Sequence, residues 1–74
     1  MGYILGDCLL QDRLNDAGLT QAEFARRMGV SPQYVNKIIR GSRKMSLEFA
    51  INAAQILGCR ITDLYILEIV RDRS

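Results

Sequence analysis

Apolar residues return every three or four positions through most of this chain, and glycines punctuate the runs. Leu10, Leu14 and Ala17 follow Asp7, which can cap a first helix, and Gly18 ends it. Thr20-Gln21-Ala22-Glu23 has the form of a capping box. The Thr20 hydroxyl can accept from the amide three residues on, while Glu23 reaches back to the Thr20 amide. A second helix then runs to Met28 and stops at Gly29. Ser31-Pro32 restarts a helix at once, because proline at the first helical position gives up an amide that had no intrahelical partner. This third helix extends to about Arg40, Gly41 ends it, and a polar, basic loop follows (Ser42-Arg43-Lys44). Ser46 caps a fourth helix with Leu47, Ala50, Ala53, Ala54 and Leu57 on one stripe, closed by Gly58. Thr62 opens a fifth, from Asp63 to about Arg71. With no convincing strand alternation, the pattern predicts a compact all-α domain of five short helices.

The fifth segment is apolar nearly all round, with Ile61, Leu64 and Leu67 on one side and Ile66, Ile69 and Val70 on the other. A single small core takes one side of a helix. The other side, Ile66, Ile69 and Val70, is therefore expected to meet a second copy or another protein partner.

Gln21 to Arg40 is the most constrained stretch. Two helices separated only by Gly29-Val30-Ser31 cannot lie antiparallel and must cross steeply, as in a helix-turn-helix spanning about residues 20–40. The crossing needs a small residue on the second helix, met by Ala25, and a residue that accepts positive φ at the bend, met by Gly29. Phe24, Met28, Val30, Val35 and Ile38 supply apolar contacts from both helices.

At 74 residues the chain has room for one domain, residues 1–74. Half of it is hydrophobic (49%) and 24% is charged, which suits a folded domain and not a disordered one. The net charge is only +2, yet Arg26, Arg27, Lys37, Arg40, Arg43 and Lys44 fall between Phe24 and Leu47 with no acid among them. That asymmetry is the footprint of a polyanion partner. The chain has no histidine, no glycine-rich phosphate loop and no serine beside a plausible base, so an enzyme is not expected. Cys8 and Cys59 lack metal-knuckle spacing; two buried reduced thiols are expected, with no metal, cofactor or small-molecule ligand. The N-terminus lacks a basic signal-peptide region and no apolar run reaches membrane-spanning length, so the expected location is the cytoplasm, away from membranes.

Three segments carry a family resemblance: LTQAEFARRMGVSPQYVNKIIRG, then SLEFAINAAQILG, then ITDL. They resemble the lambda-repressor-like (Xre/Cro-CI) helix-turn-helix regulators over nearly the whole chain. The resemblance implies that the third helix enters the major groove of double-stranded DNA while the start of the second grips the backbone. It implies base-edge contacts from Gln33 and Lys37, suited to adenine and guanine respectively, with Pro32, Tyr34 and Asn36 beside them. It places Gln21 on a phosphate at a helix N-terminus, and Arg40, Ser42, Arg43 and Lys44 along the backbone. Pro32 stands where relatives often carry a polar base-contacting residue; Leu14 and Ile39 stand where some carry a buried Arg-Glu pair. The implied function is transcriptional regulation, as a repressor and homodimer on a pseudo-palindromic operator. The competing reading is a protein-interaction module, such as an antitoxin or anti-repressor, that binds its partner through the C-terminal segment.

Overall fold

The computed structural model describes residues 2–70 and runs β1 (Gly2–Cys8), α1 (Leu10–Ala17), α2 (Gln21–Met28), α3 (Pro32–Ile39), α4 (Leu47–Leu57), a 3-10 turn (Ile61–Asp63) and β2 (Tyr65–Val70). Four of the five expected helices are present with the expected stops. Gly18, Gly29 and Gly58 each cap a helix in the left-handed region. Thr20, Ser31 and Ser46 each accept a hydrogen bond, at 3.1 Å, from the amide three residues on.

The all-α expectation is overturned at both ends. The segment expected to form a fifth helix is a single 3-10 turn followed by a strand; its last expected residue, Arg71, lies outside the described residues. Asp7 does not cap α1: it lies in β1, and Leu9 occupies the cap position without a side-chain bond. β1 and β2 pair antiparallel, with Gly2 opposite Val70, Tyr3 opposite Ile69, Ile4 opposite Glu68 and Leu5 opposite Leu67. The physical reason is the residue type. Tyr65-Ile66-Leu67-Glu68-Ile69-Val70 is rich in β-branched side chains, which lose rotamer freedom in a helix and fit a pleated sheet. Apolar on every side is also what a strand with two apolar faces looks like in sequence.

Pairing resumes at Cys8 opposite Tyr65, so β1 holds one extra residue between Leu5 and Cys8. Gly6 sits in this bulge. A Cβ built there would lie 3.1 Å from the Ile66 carbonyl oxygen and 3.3 Å from the Ile66 Cβ, so close that the facing strand would have to give by a few tenths of an ångström. The two-stranded sheet is tied to the helices where the Leu9 amide donates to the Leu64 carbonyl at 2.8 Å and the Met45 amide donates to the Tyr65 hydroxyl at 3.0 Å.

The core lies between the helices: Leu10 and Leu14 from α1, Phe24 and Ala25 from α2, Val35 and Ile38 from α3, Phe49, Ala50, Ala53 and Ala54 from α4, and Leu64. Leu14 packs there with Ile39 against its edge, where two apolar side chains meet without the desolvation cost of an ion pair. Leu47 departs from the expected stripe: it is 71% exposed, and Phe49 takes the inward position. Cys8 and Cys59 are free and partly rather than fully buried, and burial pushes both thiols up from their ordinary pKa.

Gly6→Val is expected to disrupt the two-stranded sheet while sparing the helices, at a cost of about 1–3 kcal/mol. Hydrogen exchange should show faster amide exchange in β1 and β2, with far-ultraviolet helix signal retained.

Candidate nucleic-acid interface

The bend between α2 and α3 sets the site. Gly29, at φ 74°, turns the chain, and the Val30 amide donates back to the Ala25 carbonyl at 3.0 Å. Ala25, 1% exposed, lets the two helices approach. Val35 and Ile38, three positions apart, hold one face of α3 in the core. Its other face is thereby turned to solvent: Pro32, Gln33, Lys37 and Arg40 are exposed and Asn36 is half-buried.

Gln21, Pro32, Gln33, Asn36, Lys37 and Arg40 line one shallow cleft of about 420 Å³. Helical spacing explains the grouping, since 33/37 and 36/40 are neighbours one turn apart. Gln21, the first residue of α2, enters from the side, and its side-chain amide donates to the Gln11 side-chain carbonyl at 2.7 Å. Gln11 in turn donates to Asn15 at 3.0 Å. Gln11 is thus a positioning residue that sequence reasoning missed; ten residues of separation leave no local signal for such a pair.

The basic loop forms a second, adjoining surface. Arg40, Arg43 and Lys44 line a cleft of about 460 Å³ with Gly6, Asp7, Cys8, Ile39, Gly41 and Tyr65, in which Asp7 is the one acid. The loop is shaped by backbone bonds: the Ser42 and Arg43 amides donate to the Lys37 carbonyl at 2.9 and 3.2 Å. Ser42 lies exposed in that turn.

Tyr34 sits between the two surfaces and the core. Its ring packs on Phe49 at 5.6 Å between centroids, and Phe49 meets Phe24 edge-on at 6.2 Å. The Arg43 guanidinium lies over the Tyr34 ring, 5.0 Å from its centre, and Arg43 Nε donates to the Tyr34 hydroxyl at 3.2 Å. Tyr34 therefore ties the arginine to the core. Phe49, whose place under Tyr34 was not legible from helix periodicity, completes that support.

The six basic residues do not act alike. Glu23, just outside the acid-free stretch, pairs with Arg26 and lies 3.5 Å from Arg27 Nε. The hydrogen bond from Arg26 and the charges of both arginines hold its carboxyl below the usual range. The same engagement corrects the expected capping box, since the Glu23 carboxylate faces these arginines while Thr20 alone caps. Lys37, Arg40, Arg43 and Lys44 form no salt bridge among the described residues, so the effective positive surface is α3 and its loop.

A Helix-turn-helix family model matches residues 10–64, from α1 through the 3-10 turn. The chain belongs to this helix-turn-helix family, of the Xre/Cro-CI type. An uncharacterized HTH-type transcriptional regulator of Methanocaldococcus jannaschii is 38% identical over 50 residues, covering 68% of this chain and 76% of the relative. Another, from Methanothermobacter thermautotrophicus, is 36% identical over 61 residues, covering 81% and 88%. Among solved structures, the clp gene regulator ClgR of Corynebacterium glutamicum superposes with a TM-score of 0.68 at 31% identity, over 73% of this chain and 70% of that one. A hypothetical transcription factor from Neisseria shares the fold, with a TM-score of 0.67 at 24% identity over 73% and 61%. This helix-turn-helix protein is thus a member of a DNA-binding regulator family. No helix among its described residues is long and apolar enough to cross a membrane.

Tyr34→Ala should destabilise the domain by about 2–3 kcal/mol, since it removes a half-buried ring. Tyr34→Phe, which keeps the ring and loses one exposed hydrogen bond, should cost less than about 1 kcal/mol. Urea denaturation of the two variants checks the pair.

Proposed function

We propose that this protein binds double-stranded DNA sequence-specifically, with α3 in the major groove, and regulates transcription as a homodimer on a pseudo-palindromic operator. One observation carries the reading: Gln33, Asn36, Lys37 and Arg40 share the solvent face of a helix whose other face is locked in the core, with Gln21 closing the same cleft. A major groove about 12 Å wide admits such a helix. Gln33 matches the donor-acceptor pair of adenine, Lys37 the two acceptors of guanine, and Pro32 offers an apolar contact to a thymine methyl. Asn36 reaches the same base edges from the next ridge.

Gln21, at the capped N-terminus of α2, takes a phosphate, where the helix dipole favours negative charge. Arg40, Ser42, Arg43 and Lys44 take the flanking backbone. Tyr34 contributes through Arg43, which it holds over the backbone path. The mode proposed is repression, by occupancy of an operator that overlaps a promoter. Two copies with half-sites about 34 Å apart would read a pseudo-palindrome.

The exposed apolar two-stranded sheet favours a second reading, a module that binds another protein. Salt dependence separates the two. Operator binding by a dimer should show a log-log slope of roughly −5 to −9; a slope near zero would favour the interaction module.

Selection of bound sequences from random DNA tests the assignment directly. Gln33→Ala and Lys37→Ala should each relax preference at one base pair by about 1–3 kcal/mol. Arg43→Ala should weaken binding to all sequences alike. The reverse pattern, altered preference with Arg43→Ala and none with Lys37→Ala, would overturn this orientation of α3.

A further inference from the structure

The strand that replaces the expected fifth helix rearranges its apolar residues. Side chains alternate across a strand, so Ile66 and Val70 point to one face of the sheet and Ile69 to the other. The three do not form one patch. The register instead gathers Tyr3, Leu5, Leu67 and Ile69 on a common face, and puts Ile4, Ile66, Glu68 and Val70 on the reverse.

The first face continues onto the helical body. Leu5 and Leu67 line an apolar groove of about 290 Å³ with Met45, Leu47, Ala50 and Ile61. We propose that this face is a homodimer interface, in which two copies of the chain pack the sheet face and the start of α4 against one another about a two-fold axis. The proposal supplies the interface of the dimer invoked above, and rests on that reading for its purpose, while its evidence is the surface itself.

Three observations point to a second copy. The first is area. Tyr3 (69% exposed), Leu47 (71%), Leu5, Ile61, Leu67 and Ile69 together expose roughly 600–700 Å² of residue surface, the larger part of the ~800 Å² per partner that a standard stable interface buries. The second is charge. Among the described residues, no acid or base lines the groove or joins Tyr3, Leu5, Leu67 and Ile69 on their face, whereas the reverse face carries Glu68. A two-fold contact can bring a residue against its own copy, so a charge-free face is self-compatible and the Glu68 face opposes like charges. The third is shape. A projecting side chain, Leu47, borders a groove on the same face. A knob and a hole on one surface are what an isologous contact needs, the knob of each copy filling the hole of the other. The groove shares no lining residue with the Gln33–Lys37 cleft and only Tyr65 with the basic-loop cleft, so the proposed contact leaves the α3 face open.

Sedimentation equilibrium of the full chain without DNA tests this. The wild type should sediment at twice the chain mass. Leu47→Arg, a change at a highly exposed helix position that leaves the fold intact, should weaken self-association at least a hundredfold, as should Leu67→Arg. Ile66→Arg, on the reverse face, should leave the dimer unchanged, and circular dichroism should show all three folded. A wild type that stays monomeric overturns the proposal, including one that associates only with a different protein. So does a dimer that survives Leu47→Arg, or one that Ile66→Arg dissolves. A dimer with this mutational pattern that selects no DNA sequence would leave the interface standing and sink the operator reading instead.

Discussion

Everything functional in this molecule depends on how α3 is held. An eight-residue helix is too short to be stable by itself, and its form comes from packing. Val35 and Ile38 supply that packing on one side, and the bend at Gly29, with Ala25 beneath it, fixes the angle at which the helix leaves α2. Once those contacts are made, the polar side chains of α3 have no freedom to face anywhere but outward. Pre-ordering of this kind lowers the entropic cost of meeting a ligand. Tyr34 extends the same logic past the helix, since it connects Phe49 in the core to Arg43 in the loop.

The electrostatics are sharper than the net charge of +2 implies. Glu23 occupies Arg26 and Arg27 on the flank of α2, and the other four cations of the acid-free stretch, Lys37, Arg40, Arg43 and Lys44, lie on α3 and the turn after it. A positive field confined to the surface that also carries the hydrogen-bonding side chains draws a polyanion in and orients it at once. The same clustering makes binding sensitive to salt, because each phosphate engaged releases condensed counterions.

Much of this was legible from residue order. The helix stops, the three side-chain caps, the steep α2–α3 bend and the outward ridge of α3 all follow from local rules, and local rules are read within one or two turns. What escaped was non-local. Gln11 supports Gln21 and Phe49 supports Tyr34 across gaps that no periodicity encodes. The largest discrepancy, a strand where a helix was expected, came from a six-residue segment, apolar except for Glu68, that satisfies either period. The deciding partner, Tyr3-Ile4-Leu5, lay sixty residues away at the opposite end of the chain, and only pairing with it reveals the extended form. The reversal moved a whole set of side chains, splitting Ile66 and Val70 from Ile69.

That pairing of first and last segments also bears on how the chain reaches its native state. The helices contact near neighbours and can assemble early, whereas β1 and β2 must close a loop of nearly the full chain, which costs about 3–4 kcal/mol of entropy. Extended ribbons of two strands are marginal without a surface to lie on. Formation of the ribbon is therefore expected to follow the helical core in time and to be the first element lost in partial opening. A chain that has just left the ribosome would complete its helix-turn-helix while its two terminal strands still wait to meet, so the order of assembly runs from the helical body to the ribbon that joins its ends.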